Sequence, residues 1–470
     1  MCKTIFKIIN ILFFTINKIF YVFIIPIFLS LFSTAYAITV HTTNIIHASK
    51  PEFILETSWQ KLGFTVDGVH YSQDEGTIIS DEIKYFSGDY RFSDFVIDPS
   101  YSISNLDSSL NYFDENGDVA DDVEPFTLNP NVSYEWYDAD GNDIPTSQLN
   151  NIIGCGSGFN MPLQLKIHIG VKPNSKYGVP RQGDLSDILV KYKIASNPEL
   201  CYVAPNSLRV YPDNQWVSFN NSNKYKGWNV ANLTSRKSDV GGGYSSDYVP
   251  NYGFKVNPSG EHFPTTGFPG ASFHLVVSGA QTDYEYSFVG DSTGVSVDKN
   301  GKVLLEKKPN GSITVQIKSK LEPSFKVDYT FNPTRIWVYP YNPRFSRYPY
   351  ADFKTIWSEA TNICREENLP SYQDLTNAPM IRDINMDFKM DNAYTRAIGQ
   401  GVLPEWGYTV RYSYPESRWA SVTNDRYWTK DIDPNDRARR VDVDASSGHL
   451  GVDSRCEHCP DFIVCMVDVN

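Results

Sequence analysis

Asn300-Gly301 is the dipeptide that most narrows what this chain can fold into. It stands between Val295-Ser-Val297 and Lys302-Val-Leu-Leu305, and Asn-Gly supplies the positive-φ residues that a two-residue turn between antiparallel strands requires. Around it, residues 273–277, 284–288, 312–318 and 327–331 are short runs of β-branched and aromatic residues separated by turn formers. Strands of that length and spacing predict a β-sandwich over residues 271–340.

The same reading extends to the N-terminal side. Residues 134–137, 163–169, 188–194 and 207–211 alternate or are β-branched, and each is bounded by Pro, Gly, Asn or Asp. Hardly any helical periodicity interrupts them, so residues 38–212 are expected to form a β-rich domain, again a sandwich. Two acidic clusters fall inside it, Asp114-Glu-Asn-Gly-Asp118 and Asp138-Ala-Asp-Gly-Asn-Asp143. Alternating carboxylates around a glycine can wrap calcium, but neither cluster has the distal Glu of a full calcium loop. Both are expected to be hairpin turns. Between residues 213 and 270 turn formers crowd together, with a Gly241-Gly-Gly243 triplet that has neither the preceding strand nor the Lys-Ser/Thr of a phosphate loop, so a linker is expected.

Residues 1–37 read as a separate object. Lys3, Lys7 and Lys18 precede a predominantly apolar run over 19–32, and Ala35-Tyr-Ala37 offers small residues for a signal peptidase. The run is shorter than the roughly 20 residues that span a bilayer, so a cleaved signal peptide is expected, with an uncleaved anchor as the second reading. The chain carries a net charge of −13; cleavage removes only lysines and makes it more negative. An acidic surface without a basic tail argues against nucleic acid and anionic lipid as partners, and no later integral membrane segment is expected. Cleavage also removes Cys2 and leaves Cys155, Cys201, Cys364, Cys456, Cys459 and Cys465. An even number in an exported chain reads as disulfides with several pairings open. Clustering favours Cys155 with Cys201, Cys364 with Cys465, and Cys456 with Cys459.

The last stretch has a different pattern. Phe353, Ile356, Trp357, Ala360, Ile363 and Cys364 recur at three- and four-residue spacing, which predicts an amphipathic helix over residues 351–364. Ser371 with Asp374 can cap a second short helix, and residues 461–467 have the length and branching of a buried strand carrying Cys465. Residues 337–350 are dense in proline and aromatic residues, which predicts a stiff junction with a fixed angle. The fold expected overall is mainly β, with sandwich domains followed by a terminal α+β module.

Two resemblances follow from these residues. The strand pattern around Val295-Ser-Val-Asp-Lys-Asn-Gly-Lys-Val303 resembles the bacterial immunoglobulin-like repeats of surface adhesins, whose role is that of a spacer. The order after it is a helix with cysteine, a Leu369-Pro370 start of a second helix, Glu405-Trp-Gly407, Tyr427-Trp-Thr429 and a last strand with cysteine. That order resembles the C-type-lectin-like module ending the passengers of the intimin/invasin family, and assigns residues 341–470 to such a module. The resemblance implies an exported adhesin or invasin-like protein of a Gram-negative bacterium, secreted or at the cell surface, whose tip binds a host or surface protein receptor. A passenger without its own barrel resembles the Zir-type exported proteins, which implies an intimin-like outer-membrane transporter as a second partner.

Sugar-binding members of that fold hold calcium with Glu-Pro-Asn or Gln-Pro-Asp and a following Trp-Asn-Asp. Here Leu403-Pro-Glu405 and Thr423-Asn-Asp425 do not reproduce the set, which shifts the expected ligand from sugar to protein. Five of the nine tryptophans lie after residue 336. Most are expected in the core, while a face around Trp419, Asn424, Asp425 and Arg426 is taken as the contact surface. Cys456-Glu-His-Cys459, with His449 upstream, lacks a second ligand pair for zinc and the βαβ context of a redox motif, so a structural disulfide is expected. Arg437-Ala-Arg-Arg440 among aspartates is read as a solvated face. Neither metal nor cofactor is expected. No Gly-x-Ser-x-Gly, His-Glu-x-x-His or phosphate loop occurs, and the chain is not expected to be an enzyme. The alternatives are a secreted regulator of host interaction with the same architecture, or a carbohydrate-active enzyme in the N-terminal domain.

Overall fold

The computed structural model describes residues 49–55, 58–97, 106–129, 132–211, 216–219, 224–228, 241–343, 353–380, 393–421, 426–452 and 460–469. The expected signal segment, Asn424, Asp425, Cys456 and Cys459 lie outside them. The fold is mainly β, with several sheets and a few short helices.

The N-terminal part is built on one long antiparallel pair. Leu163–Pro173 and Ser186–Ser196 run in register from Ile194 opposite Leu163 to Ser186 opposite Val171. Leu163, Leu165, Ile167, Ile169 and Val171 are buried while Gln164, Lys166 and His168 between them are half-exposed, the period of two that a one-faced strand shows. Phe126–Leu128 and Ser133–Tyr137 pair with successive halves of Leu163–Pro173, and Ile83–Phe86 runs parallel to the end of Ser186–Ser196. A three-stranded sheet of Phe64–Val66, Val69–Tyr71 and Val96–Ile97 shares the core. There Phe64 meets Tyr192 edge-on at 5.5 Å, and Phe95 meets Trp136 at 5.2 Å. Both acidic clusters are turns: Asp114 O accepts from Gly117 N at 3.1 Å, and Asp138 N donates to Asn142 O at 3.0 Å.

The second body is a sandwich. One sheet runs Tyr248–Val249, Gly253–Lys255, Leu200–Pro205, Ala271–Val277, Lys302–Leu305 and Val295–Val297; the other runs Tyr284–Val289, Ile313–Ser319 and Lys326–Phe331. The hairpin at Asn300-Gly301 forms, with Val297 opposite Val303 and the Asp298 carboxylate accepting from Asn300 N at 2.8 Å and Lys302 N at 2.9 Å; of the pair only Gly301 has positive φ, and the turn closes from Asp298 to Lys302 around three residues rather than two. Three of these strands lie outside the expected sandwich span. Leu200–Pro205 is expected with the N-terminal part, and Tyr248–Val249 and Gly253–Lys255 in the linker; Leu200–Pro205 pairs with Ala271–Val277 and with Gly253–Lys255, which pairs in turn with Tyr248–Val249. The Cys155–Cys201 disulfide, with Cα atoms 5.8 Å apart, therefore spans the joint between the two bodies. Beside it, Ser196 and Ser278 share a 2.7 Å hydroxyl contact.

The terminal part packs around a small core of Ala360, Cys364, Leu369, Trp428, Ile463 and Cys465. Its first helix is Trp357–Cys364 and does not reach back to residue 351. Thr355 instead exchanges both backbone bonds with Asp461, at 2.8 and 3.0 Å, which holds the preceding residues extended. The capping box of Ser371 and Asp374 closes the helix Tyr372–Leu375. A hairpin of Arg426–Asp433 and Asp436–Asp444 is extended by Leu450–Val452. The last strand, Ile463–Cys465, pairs with Tyr339–Tyr341 as the chain leaves the sandwich, and Cys465 is joined to Cys364.

Candidate functional site

The terminal module and the sandwich share one hydrophobic core. Phe268 of the sandwich meets Trp406, Tyr414 and Trp419 of the module at 5.5, 5.3 and 5.5 Å, all edge-on, the orientation that aromatic quadrupoles favour. Phe263 adds a contact to Trp406 at 5.0 Å. The approach is close enough that Gly270 carries no side chain for a steric reason: a Cβ there would collide with the backbone of Glu416 and Ser417.

A buried carboxylate sits in the middle of this seat. Glu405 is fully buried on the helix Val402–Trp406. Its oxygens accept from Thr265 N at 3.0 Å, Thr265 Oγ1 at 2.6 Å, Thr266 N at 2.9 Å, Thr266 Oγ1 at 2.7 Å and Gly399 N at 2.8 Å. Burial raises the Glu405 pKa above the ordinary carboxylate value, opposed by those hydrogen bonds. Arg396, also fully buried, donates to Ser207 O at 2.9 Å, Arg209 O at 3.0 Å and Glu405 O at 2.8 Å. Its guanidinium lies 4.6 Å from the Tyr248 ring centroid. Two ionisable groups, an aromatic wedge and backbone donors from both bodies fix the angle between them. Residues 344–350 of the expected stiff junction lie outside the described residues; the contacts between the two bodies include those of Phe268, Glu405 and Arg396.

The expected contact residues separate. Trp419 is 1% exposed, packed against Phe268 and, at 4.9 Å, against Tyr427, so it is a core residue and not part of a contact surface. Arg426 is half-buried and ion-paired with Asp442. Trp337, Trp406 and Trp428 are also buried, as burial of large rings in a small module requires. Glu405 cannot take part in a calcium set, because donors from Thr265, Thr266 and Gly399 surround both its oxygens. In the Arg437–Arg440 run, Arg439 pairs with Asp436 at 3.2 Å and Arg440 stacks 4.3 Å over Trp357. Among the described residues, Cys155, Glu199 and Cys201 come within metal-ligand distance of one another, but both sulfurs are spent in the disulfide.

The residue that sequence reasoning missed is Tyr412. It is 65% exposed on the loop after the helix Val402–Trp406, with its ring 5.2 Å from Tyr408. Arg209 stacks on the other side of Tyr408 at 4.7 Å. A groove of about 380 Å³ lies between the module and the sandwich, lined by residues that include Lys307, Tyr339, Glu416 and Arg418.

Residues 246–331 match the family described as invasin, domain 4, a span that covers most of the sandwich. A comparison with curated proteins finds no match. Among solved structures the chain is similar to invasin, titled a bacterial integrin-binding protein, at 15% identity and a TM-score of 0.34, over 75% of this chain and 53% of that one. It thus spans about half the length of that structure. A C-terminal 282-residue fragment of intimin, in complex with the intimin-binding domain of the translocated intimin receptor, is similar at 12% identity and a TM-score of 0.31, over 72% of this chain and 85% of that one. An intimin mutant from EHEC O157:H7 is similar at 17% identity and a TM-score of 0.28, over 43% and 88%. The relationship rests on the domain match, and through that domain the chain is related to the invasin/intimin family.

Proposed function

We propose that this chain is an exported adhesin whose terminal module, residues 341–470, binds a protein on a host or neighbouring surface. The observation that carries the reading is the seat of Glu405 and Phe268: a module locked at a fixed angle onto an invasin-type domain is pre-organised for docking, which lowers the ordering cost of binding. Tyr412 is the proposed anchor, since an exposed tyrosine set edge-on against Tyr408, over which Arg209 lies, has the composition of an interface hot spot. The two disulfides support a location outside the cytoplasm. Deleting residues 341–470 would strip Trp406, Tyr414 and Trp419 from the sandwich core, so a surface substitution is the cleaner test. Tyr412→Ala in the full chain should weaken binding to host cells or to an isolated receptor by about tenfold or more, with unfolding unchanged. Undiminished binding would remove Tyr412 from the contact, and a wild-type chain that binds no cell surface would remove the adhesin reading.

A further inference from the structure

The turn at residues 114–118 leaves two carboxylate oxygens in an unusual state. Asp114 is 7% exposed. Its Oδ1 accepts from Asn116 N at 2.8 Å, Asp118 N at 3.3 Å and Ser49 Oγ at 3.3 Å, which fixes the carboxylate and leaves Oδ2 as its second oxygen. That Oδ2 is buried and has no hydrogen-bond partner among the described residues, and the same holds for Oδ2 of Asp118. Asp118 Oδ2 lies against Gly178, where a Cβ would stand 3.4 Å from it and 2.6 Å from Ser175 Oγ. The half-buried Tyr112 faces the same place: burial raises its pKa first, Ser175 lowers it, and Asp114 and Asp118 both raise it further.

Basic side chains at this end of the domain are committed elsewhere. Lys176 pairs with Asp122, Arg181 with Asp121 at 3.0 Å, and Lys50 with Asp184. Asp121, Asp122 and Asp184 are therefore neutralised, whereas Asp114 and Asp118 have no ion pair among the described residues. The second acidic turn makes the contrast sharper, because both oxygens of Asp138 accept from Asn142, at 2.9 Å each. Two carboxylate oxygens withdrawn from water without a donor or a counter-charge carry a desolvation cost. A cation removes that cost.

We propose that Asp114 and Asp118, with the Tyr112 hydroxyl and Ser175 beside them, form a site for a hard divalent cation of the calcium type. All the groups offered are oxygens, which excludes the soft-ligand metals. An irregular set of carboxylate, phenol and hydroxyl oxygens, completed by backbone carbonyls and water, suits the flexible shell of calcium better than the strict octahedron of magnesium. The bound ion would tie the turn to that loop and to the strand Leu163–Pro173 that leads into it.

The test uses the full chain freed of metal with EDTA and titrated calorimetrically with calcium chloride, together with thermal unfolding in calcium-free and in about 10 mM calcium buffer. The expected result is one-site binding with a dissociation constant on the order of 0.1 to 1 mM, the range of extracellular calcium modules, and a rise in the unfolding midpoint with calcium. Asp118→Asn is the informative variant, because Asp114 also holds the turn through Oδ1. It should lose binding, unfold no earlier than wild type without calcium, and unfold earlier than wild type with it. Absence of both heat and midpoint shift in the wild type, or calcium binding by Asp118→Asn equal to wild type, would overturn the site.

Discussion

Replacing Glu405 with alanine removes the acceptor for three backbone amides, of Thr265, Thr266 and Gly399, and for two threonine hydroxyls. The hydroxyls can rotate toward other acceptors, but the amides are fixed. At about 1 to 3 kcal/mol for each buried donor left unmade, the amides alone set a loss of roughly 3 kcal/mol or more, partly offset by relief of the buried charge and by entry of water. Against a typical domain stability of about 5 to 15 kcal/mol, that is a large fraction. Urea unfolding followed by tryptophan fluorescence reads it directly, because the Trp406 indole donates to Thr266 O at 3.1 Å in the same pocket. Glu405→Ala should lower the unfolding free energy by about 3 kcal/mol and shift the native emission to the red. Glu405→Gln keeps one acceptor but turns its amide group toward either Gly399 N or Thr266 N, so an intermediate loss of about 1 to 3 kcal/mol is expected. A cost under about 1 kcal/mol for Glu405→Ala, with an unshifted spectrum, would refute the view that this carboxylate seats the module.

Two further predictions concern pH and the joint. Glu405 has a raised pKa when folded, so above the ordinary carboxylate value of 4.5 the folded chain holds a proton that the unfolded chain releases. Its contribution to stability must therefore fall as pH rises from there through the folded value and level off above it; unfolding midpoints of wild type minus Glu405→Gln across pH should show that slope, and the opposite slope would contradict the burial argument. Replacing both Cys155 and Cys201 with serine opens a loop with a sequence separation of 46, for which the chain-entropy relation gives a loss of about 4 kcal/mol; denaturant unfolding of the double variant measures it.

Local features of the fold were legible because their causes are local. Gly301 needs only its own positive φ to turn the chain, and Ser371 needs only Asp374, three residues on, to cap a helix. The helix expected from residue 351 begins at Trp357 because Thr355 is captured by Asp461, more than a hundred residues away. Glu405 and Thr265 are separated by 140 positions, and nothing in either neighbourhood signals the other. Trp419 illustrates a second limit. Aromatic residues serve cores and contact surfaces with the same chemistry, and only burial, which depends on Phe268 and Tyr427, separates the two. The acidic turns show a third: alternating carboxylates at 114–118 and 138–143 look alike in sequence, and they differ in which of their oxygens the fold supplies with donors.

The two disulfides also set how the chain transmits a pull. Tension applied from the N-terminal side, on reaching Cys155, passes through sulfur to Cys201, so the paired strands Leu163–Pro173 and Ser186–Ser196 lie off the load path. Even if the N-terminal part came apart, roughly 150 Å of contour would stay locked behind that bond, at about 3.3 Å per extended residue over the separation of 46. Between Cys364 and Cys465, a separation of 101 withholds roughly 330 Å by the same measure. A chain pulled between its two ends would lengthen outside the two disulfide-closed loops first.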